Sequence, residues 1–252
     1  MSVPHSLVIG GTRGIGRELV EEFMSAGHSV SVVARSLPAS GSEIRGVRYH
    51  AVDVGTPGIR DALSKIVSQA GKINHLVFFQ RFRGSGPPWE GEIATSLTAT
   101  KTVVEALQDK FAEGEKSIVV VSSIAAALVS SYAPVGYHAA KAALCQMVRY
   151  WAVVLGPLGI RVNSVSPGTV LKDESKDFFL NDKTISDLYR RITPLRRFGS
   201  AREVAKVIAC LCGEQTSFVT GQDIVVDGGL SLVSQEALAR ELSNIASPPV
   251  NI

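Results

Sequence analysis

Three side chains near the middle of the chain have the types and spacing for acid–base chemistry. Tyr137 and Lys141 lie four residues apart in a segment that reads as a helix from about Pro134 to Leu155, so they share one face. Ser123 follows Ser122 at the end of an apolar strand, Ile118–Val121. The ammonium of Lys141 would favour the phenolate form of Tyr137 over the phenol. A phenol tuned in this way can give a proton to a carbonyl oxygen, or take one from an alcohol, near neutral pH. The hydroxyl of Ser123 would hold the same oxygen. The Tyr-x-x-x-Lys spacing alone also fits a buried tyrosine beside a solvated lysine, so its meaning depends on the elements that position it.

The N-terminal segment supplies context. Leu7–Ile9 reads as a short strand, Gly10-Gly11-Thr12-Arg13-Gly14-Ile15-Gly16 as a glycine loop, and Arg17 to Ala26 as a helix. Glycines there allow a tight turn and close backbone approach to a phosphate, and the helix start offers free N–H groups to a pyrophosphate. Ser29–Ala34 reads as the second strand. An acidic residue at its end would select the 2′-hydroxyl of NAD, but the sequence continues Arg35-Ser36. Arg35 together with Arg13 could clamp a 2′-phosphate, which points to NADP(H) over NAD. The other reading of this pair is two solvated surface arginines.

Further strands are expected at Val47–Val52, ending at Asp53, at His75–Phe79 and at Ile160–Val165, followed by Pro167-Gly168, with a last strand at Ile224–Val226. Helices are expected over Pro57–Ala70, Ile93–Phe111 and Ala201–Leu211, with Arg81–Trp89 as a Gly/Pro-rich loop. The helix from Pro134 is apolar on most sides and should be buried on more than one face. Strands alternating with helices indicate βαβ units, hence an α/β fold with a doubly wound parallel sheet and helices on both faces. One domain over 1–252 accounts for the chain, with a substrate-covering insertion at about 172–198 and a tail from about 234. Ligands of such sheets bind at the carboxyl ends of the strands, where these candidate residues converge.

Composition narrows the function classes. The formal charge of +3 over 252 residues, with no basic stripe, makes no case for nucleic acid. No apolar run reaches the length of a membrane span, and the N-terminus lacks a signal-peptide pattern. Three cysteines, Cys145, Cys210 and Cys212, fit a reducing cytoplasm, the last two reading as small buried hydrophobes. Scattered histidines give no metal site.

Taken together, the motifs from about Leu7 to Leu232 resemble those of the classical short-chain dehydrogenase/reductase (SDR) family. Gly10-x-x-x-Gly14-x-Gly16 is similar to its cofactor loop, and Asp53-Val54 to the pair that meets adenine. Ser123, Tyr137 and Lys141 are similar to its catalytic set. Ile160-Arg161-Val162-Asn163 through Pro167-Gly168 and Val170 resembles the segment over the nicotinamide. Thr220-Gly221-Gln222 with Val226-Asp227-Gly228-Gly229 resembles its C-terminal signature. The resemblance implies a Rossmann-type fold and NAD(P)-dependent hydride transfer to or from a carbonyl, which with the two arginines makes NADP(H) and a small ketone or alcohol the expected pair. Tyr137 would be the acid/base, Lys141 its tuner and ligand of the nicotinamide ribose, and Ser123 the polariser. It also implies a homotetramer or homodimer.

The chain departs from the family at four places. Asn-Asn-Ala-Gly after the fourth strand is replaced by Phe78-Phe79-Gln80-Arg81, so the two phenylalanines must point elsewhere or reshape the pocket. The fourth catalytic position, an Asn, aligns with Ser96. Lys172 stands where Thr is expected and could meet the pyrophosphate, and Ile9 replaces the Thr before the first glycine. The enoyl-reductase spacing fails because position 134 is Pro. Two other readings stay open: a catalytically silent cofactor-binding scaffold or sensor, and a relative acting on an imine or conjugated alkene. Phe178, Phe179, Leu180 and Leu188 could wall a substrate, and Lys172, Lys176, Lys183, Arg190 and Arg191, like Arg81 and Arg83, could attract an anionic one. A solvated amphipathic lid is the alternative.

Overall fold

The valine-rich strands pair in parallel along their whole lengths. In chain order the elements are β1 (His5–Ile9), α1 (Gly14–Ser25), β2 (Ser29–Ala34), β3 (Arg48–Ala51), α2 (Ile59–Ala70), β4 (His75–Phe78), α3 (Pro88–Glu92), α4 (Ala99–Leu107), β5 (Lys116–Val121), α5 (Val135–Leu155), β6 (Ile160–Pro167), β7 (Val170–Leu171), α6 (Lys183–Ile192), β8 (Gly199–Ser200), α7 (Ala201–Cys212), β9 (Asp223–Val226) and α8 (Gln235–Leu242). This computed structural model describes residues 3–172, 176, 177, 179 and 181–245. Phe178 and Leu180, two of the proposed wall residues, and 246–252 of the tail lie outside the described residues.

The main sheet has seven strands in the order β3-β2-β1-β4-β5-β6-β9, all parallel. Side chains alternate across it. Leu7 and Ile9 of β1 enter one apolar cluster with Leu63 of α2, Val103 of α4 and Val148 of α5. Val8, between them, enters the other with Leu19 of α1 and Ile208 of α7. A sheet covered on both faces favours apolar residues on both sides of its strands, which is why residues 76–78 of β4 and 118–121 of β5 run without polar alternation. The order reverses between β1 and β4, and the carboxyl ends of the strands open a crevice there.

Local signals set the helix positions. Ser200 and Glu203 form a capping box at α7, and Arg197 pairs with Glu203 at 2.7 Å. The Arg197 guanidinium, helped by the Ser200 backbone N–H, holds the Glu203 carboxyl down at about 2. β7 and β8 form a separate two-stranded parallel pair that closes the base of the insertion between them.

Two expectations change. The helix read over Ile93–Phe111 begins earlier, at Pro88, whose fixed φ suits a first helical position. It then passes through a π-helical turn, Ile93–Thr98, before α4. Cys212 is buried as expected, whereas Cys210 faces solvent. Helix α5 buries a broad band that includes Ala140, Lys141, Trp151 and Ala152, and leaves Tyr150 and Val153 exposed in the single chain. No helix among the described residues is long and apolar enough to cross a membrane.

Candidate active site

The crevice at the carboxyl ends of the strands is a cleft of about 500 Å³. The glycine loop forms one end. Gly10 has φ +88°, a left-handed value that an L side chain rarely adopts, and Gly14 has φ +52°. A Cβ on Gly16 would run into the carbonyl oxygen of Gly10, so the helix start can sit this close to the loop only with glycine. Arg13 precedes α1 without making a side-chain cap, and the first turn holds no acidic residue. The first N–H groups of α1 therefore keep the donor capacity and positive end that suit a phosphate. Thr12, Ile15, Arg13 and Arg35 line this end of the cleft, with both arginines exposed. Ser36 does not line it. Asp53 and Val54 do, and Asp53 Oδ1 accepts the Gly55 N–H at 2.9 Å, which fixes the carboxylate.

The reactive groups form the other end. Ser123, Tyr137 and Lys141 line the same cleft, as do Pro167, Gly168, Val170 and Lys172. Ser123 Oγ accepts the Ala125 N–H at 3.1 Å, which leaves its hydroxyl hydrogen for another acceptor. Lys141 is buried, 4% exposed; its Nζ donates to Val121 O at 3.0 Å and sits 5.7 Å from the Tyr137 ring centre. Ser122 Oγ donates to Lys141 O at 2.9 Å and so ties the end of β5 to α5. Burial pulls the Lys141 ammonium down to about 8, Glu92 opposes that fall, and Arg81 and Lys172 add to it.

The altered segment after β4 does not close the cleft. Phe78 turns into the core, 2% exposed, and Phe79 packs on the opposite apolar cluster beside Gly10. Gln80 Nε2 donates to Thr100 Oγ1 at 2.6 Å, and Arg81 stands at the cleft with Arg83. Ser96 is fully buried and does not line the cleft; its hydroxyl donates to Glu92 Oε2 at 2.6 Å. Sequence reasoning passed over Glu92. The available signal was its place four residues before Ser96, on the same helical face.

Residues 10–231 match a family model described as enoyl-(acyl carrier protein) reductase. The chain is 32% identical over 244 residues to a tropinone reductase homolog from Arabidopsis thaliana, covering 90% of each. It is 31% identical over 245 residues to the 3-oxoacyl-[acyl-carrier-protein] reductase of Aquifex aeolicus, covering 89% of this chain and 96% of that one. The chain belongs to the short-chain dehydrogenase/reductase family. Its fold also matches the aldohexose dehydrogenase of Thermoplasma acidophilum, with TM-score 0.83, 24% identity and 98% of each chain covered.

As an SDR, this chain belongs to a family of oxidoreductases. The residues present fit a dinucleotide: a cradle that a Cβ at Gly16 would fill, an uncapped helix start, and a lysine and tyrosine at the far end of one continuous cleft. Among the described residues no cluster suits a metal ion. The insertion contributes an aromatic group, Phe179, Tyr189 and Phe198, with ring centres 5.3–5.5 Å apart. Leu188 is exposed.

Proposed function

We propose that the protein is an NADP(H)-dependent reductase of ketones, working reversibly on the corresponding alcohols. The observation that carries this reading is the convergence of Ser123, Tyr137 and Lys141 on the cleft that begins at Gly10–Gly16. When bound, the reduced nicotinamide supplies the hydride to the carbonyl carbon. The hydroxyl of Ser123 donates to the carbonyl oxygen, since its own oxygen is already held by Ala125 N–H. The phenol of Tyr137 gives that oxygen a proton as the negative charge develops, and the Lys141 ammonium stabilises the phenolate left behind. The reverse direction uses Tyr137 as base.

A ketone fits better than the alkene in the family model's description. Tyr137 stands four residues before Lys141, and the position seven before it is Pro134. The scaffold reading loses one of its two motives, because Phe78 turns into the core and Phe79 lines the cleft without filling it; the other, serine in place of Asn at position 96, stands. Arg13 and Arg35 support a 2′-phosphate, because both line the cleft at the glycine-loop end. A cytoplasmic location suits the free cysteines. The exposed apolar side chains Tyr150, Val153 and Val154 of α5 suit a second copy of the chain in a dimer or tetramer.

Titration with NADPH and, separately, NADH, followed by nicotinamide fluorescence, tests the cofactor assignment. NADPH should bind tighter, and Arg35→Ala should weaken it by about tenfold with little effect on NADH. Tighter NADH binding would overturn the 2′-phosphate clamp.

A further inference from the structure

Lys141 poses an electrostatic problem. An ammonium that is 4% exposed, with one hydrogen bond from Nζ among the described residues, is costly to keep charged. Two further cations act on it, Arg81 from the loop after β4 and Lys172 from beyond β7. Tyr137 and Cys145 face it from its own helix. The carboxylate whose charge acts on it is Glu92, at the end of α3, itself only 5% exposed.

The placement of Glu92 is built from tight contacts. Helix α3 lies directly on the start of α5, where a Cβ on Gly136 would come within 2.9 Å of Trp89 Cα and 3.2 Å of Pro88 O. From the other side the ring of Phe82 occupies the space that a Cβ on Gly91 would need. The chain then enters the π-helical turn Ile93–Thr98, which places the Ser96 hydroxyl on Glu92 Oε2 at 2.6 Å. Ser96 is held in turn, since its carbonyl accepts from Thr100 Oγ1 at 2.6 Å. A buried carboxylate with a charge-assisted hydrogen bond is oriented at low cost. It is not in ion-pair contact with Lys141, so it acts through space, where a charge in a poorly screened interior remains effective over several ångströms.

We propose that Glu92 is a positioning residue whose buried carboxylate is the counter-charge that keeps Lys141 an ammonium, with α3 wedged between Gly136 and Phe82 to hold it there. This rests on the reading of Lys141 as the tuner of Tyr137. Ser96, at the fourth catalytic position, then serves the site through Glu92 instead of facing the cleft. Burial, with Arg81 and Lys172, holds Lys141 down at about 8 even with Glu92 present, so a neutral residue at 92 should leave more of the amine uncharged near pH 7.5.

The test is an NMR titration of protein labelled at lysine Cε, with Lys141→Met identifying the resonance. Glu92→Gln keeps the volume and an acceptor for Ser96 but removes the charge. Its Lys141 midpoint should fall by about one pH unit or more, a tenfold change in proton affinity. Glu92→Asp should stay nearer the wild type. Gly136→Ala, which pushes α3 off α5 and keeps every charge, should shift the midpoint in the same direction by less. Within about 0.3 unit of wild type, Glu92→Gln would overturn the proposal, as would Gly136→Ala should Glu92→Gln not fold. With turnover, the alkaline limb of kcat should move to lower pH by the same amount, whereas a purely structural role would lower kcat without moving it. The NMR readout needs no turnover, so an inactive protein whose Lys141 still responds to Glu92 refutes the reductase reading alone.

Discussion

The two ends of the sheet bury ionisable groups in opposite ways. At the amino ends, Arg161 of β6 donates to the carbonyls of Leu211, Cys212 and Gly213 and to Thr216, at 2.8–3.2 Å. It thereby caps the end of α7. His5 Nδ1 donates to Gly71 O at 3.0 Å in the neutral tautomer, and its Nε2 accepts from Ser31 at 2.9 Å. His75 pairs with Ser117, and His28 with Ser6, while both rings stack with Phe23. At the carboxyl ends, Lys141 has one carbonyl, and Tyr137 and Ser123 face an open cleft. Burial with complete partnering makes structure. Burial with partners withheld makes a site, at a cost in stability.

Paired substitutions test this contrast most strongly. Lys141→Met removes a desolvated charge but leaves the Glu92 carboxylate without it, so it should cost about 1 kcal/mol of stability or less, while turnover falls by about 10²–10⁴-fold. Arg161→Met strands several carbonyls and should cost about 3 kcal/mol of stability, while kcat per folded molecule holds. Equal stability losses in both variants, read from urea midpoints, would break the comparison. Gly16→Ala should weaken nicotinamide binding by about 100-fold, because its methyl group meets the Gly10 carbonyl oxygen. Calorimetric titration checks this, and near-wild-type affinity would contradict the cradle.

A smaller effect separates the two ends by pH. His75 is held down at about 3, first by burial and then by His28 and Arg161. Its folded-state value lies below its unfolded one, so the stability it contributes is complete above about pH 6.5 and is lost as pH falls toward 3. His5 and His28 are lowered too, both chiefly by burial. Between pH 6.5 and 5, stability should drop through His75 by up to about 1.4 kcal/mol per pH unit, with His5 and His28 acting in the same direction. His75→Asn should show a shallower slope in urea midpoints measured at pH 7, 6 and 5.

The carboxyl-end site was legible because its signals are local. The glycine loop lies between a strand and a helix, and Tyr137 and Lys141 share a helix face. The amino-end layer was not, because its pairs are separated in sequence, as Ser6 is from His28 and His75 from Ser117, and only strand register joins them. Helix α3 was read as loop because Pro87-Pro88 suggests irregular chain, although Pro88 is well placed to begin a helix. Without α3, Glu92 had no position relative to Lys141. Ser96 was found by its alignment, but its burial toward Glu92 follows from the π-helical turn, which no spacing announces. Ser36 followed Arg35 into the expected site and lies outside the cleft lining, since neighbours at a strand end face different ways.

The most direct test of the central claim is consumption of NADPH at 340 nm against a panel of small ketones, with wild type and Tyr137→Phe compared at matched NADPH occupancy. The account predicts turnover by wild type, a fall of about 10³-fold in Tyr137→Phe, and NADPH affinity within about threefold in both. Equal turnover in the two proteins, or tight NADPH binding by a wild type that consumes none with any ketone, would contradict it.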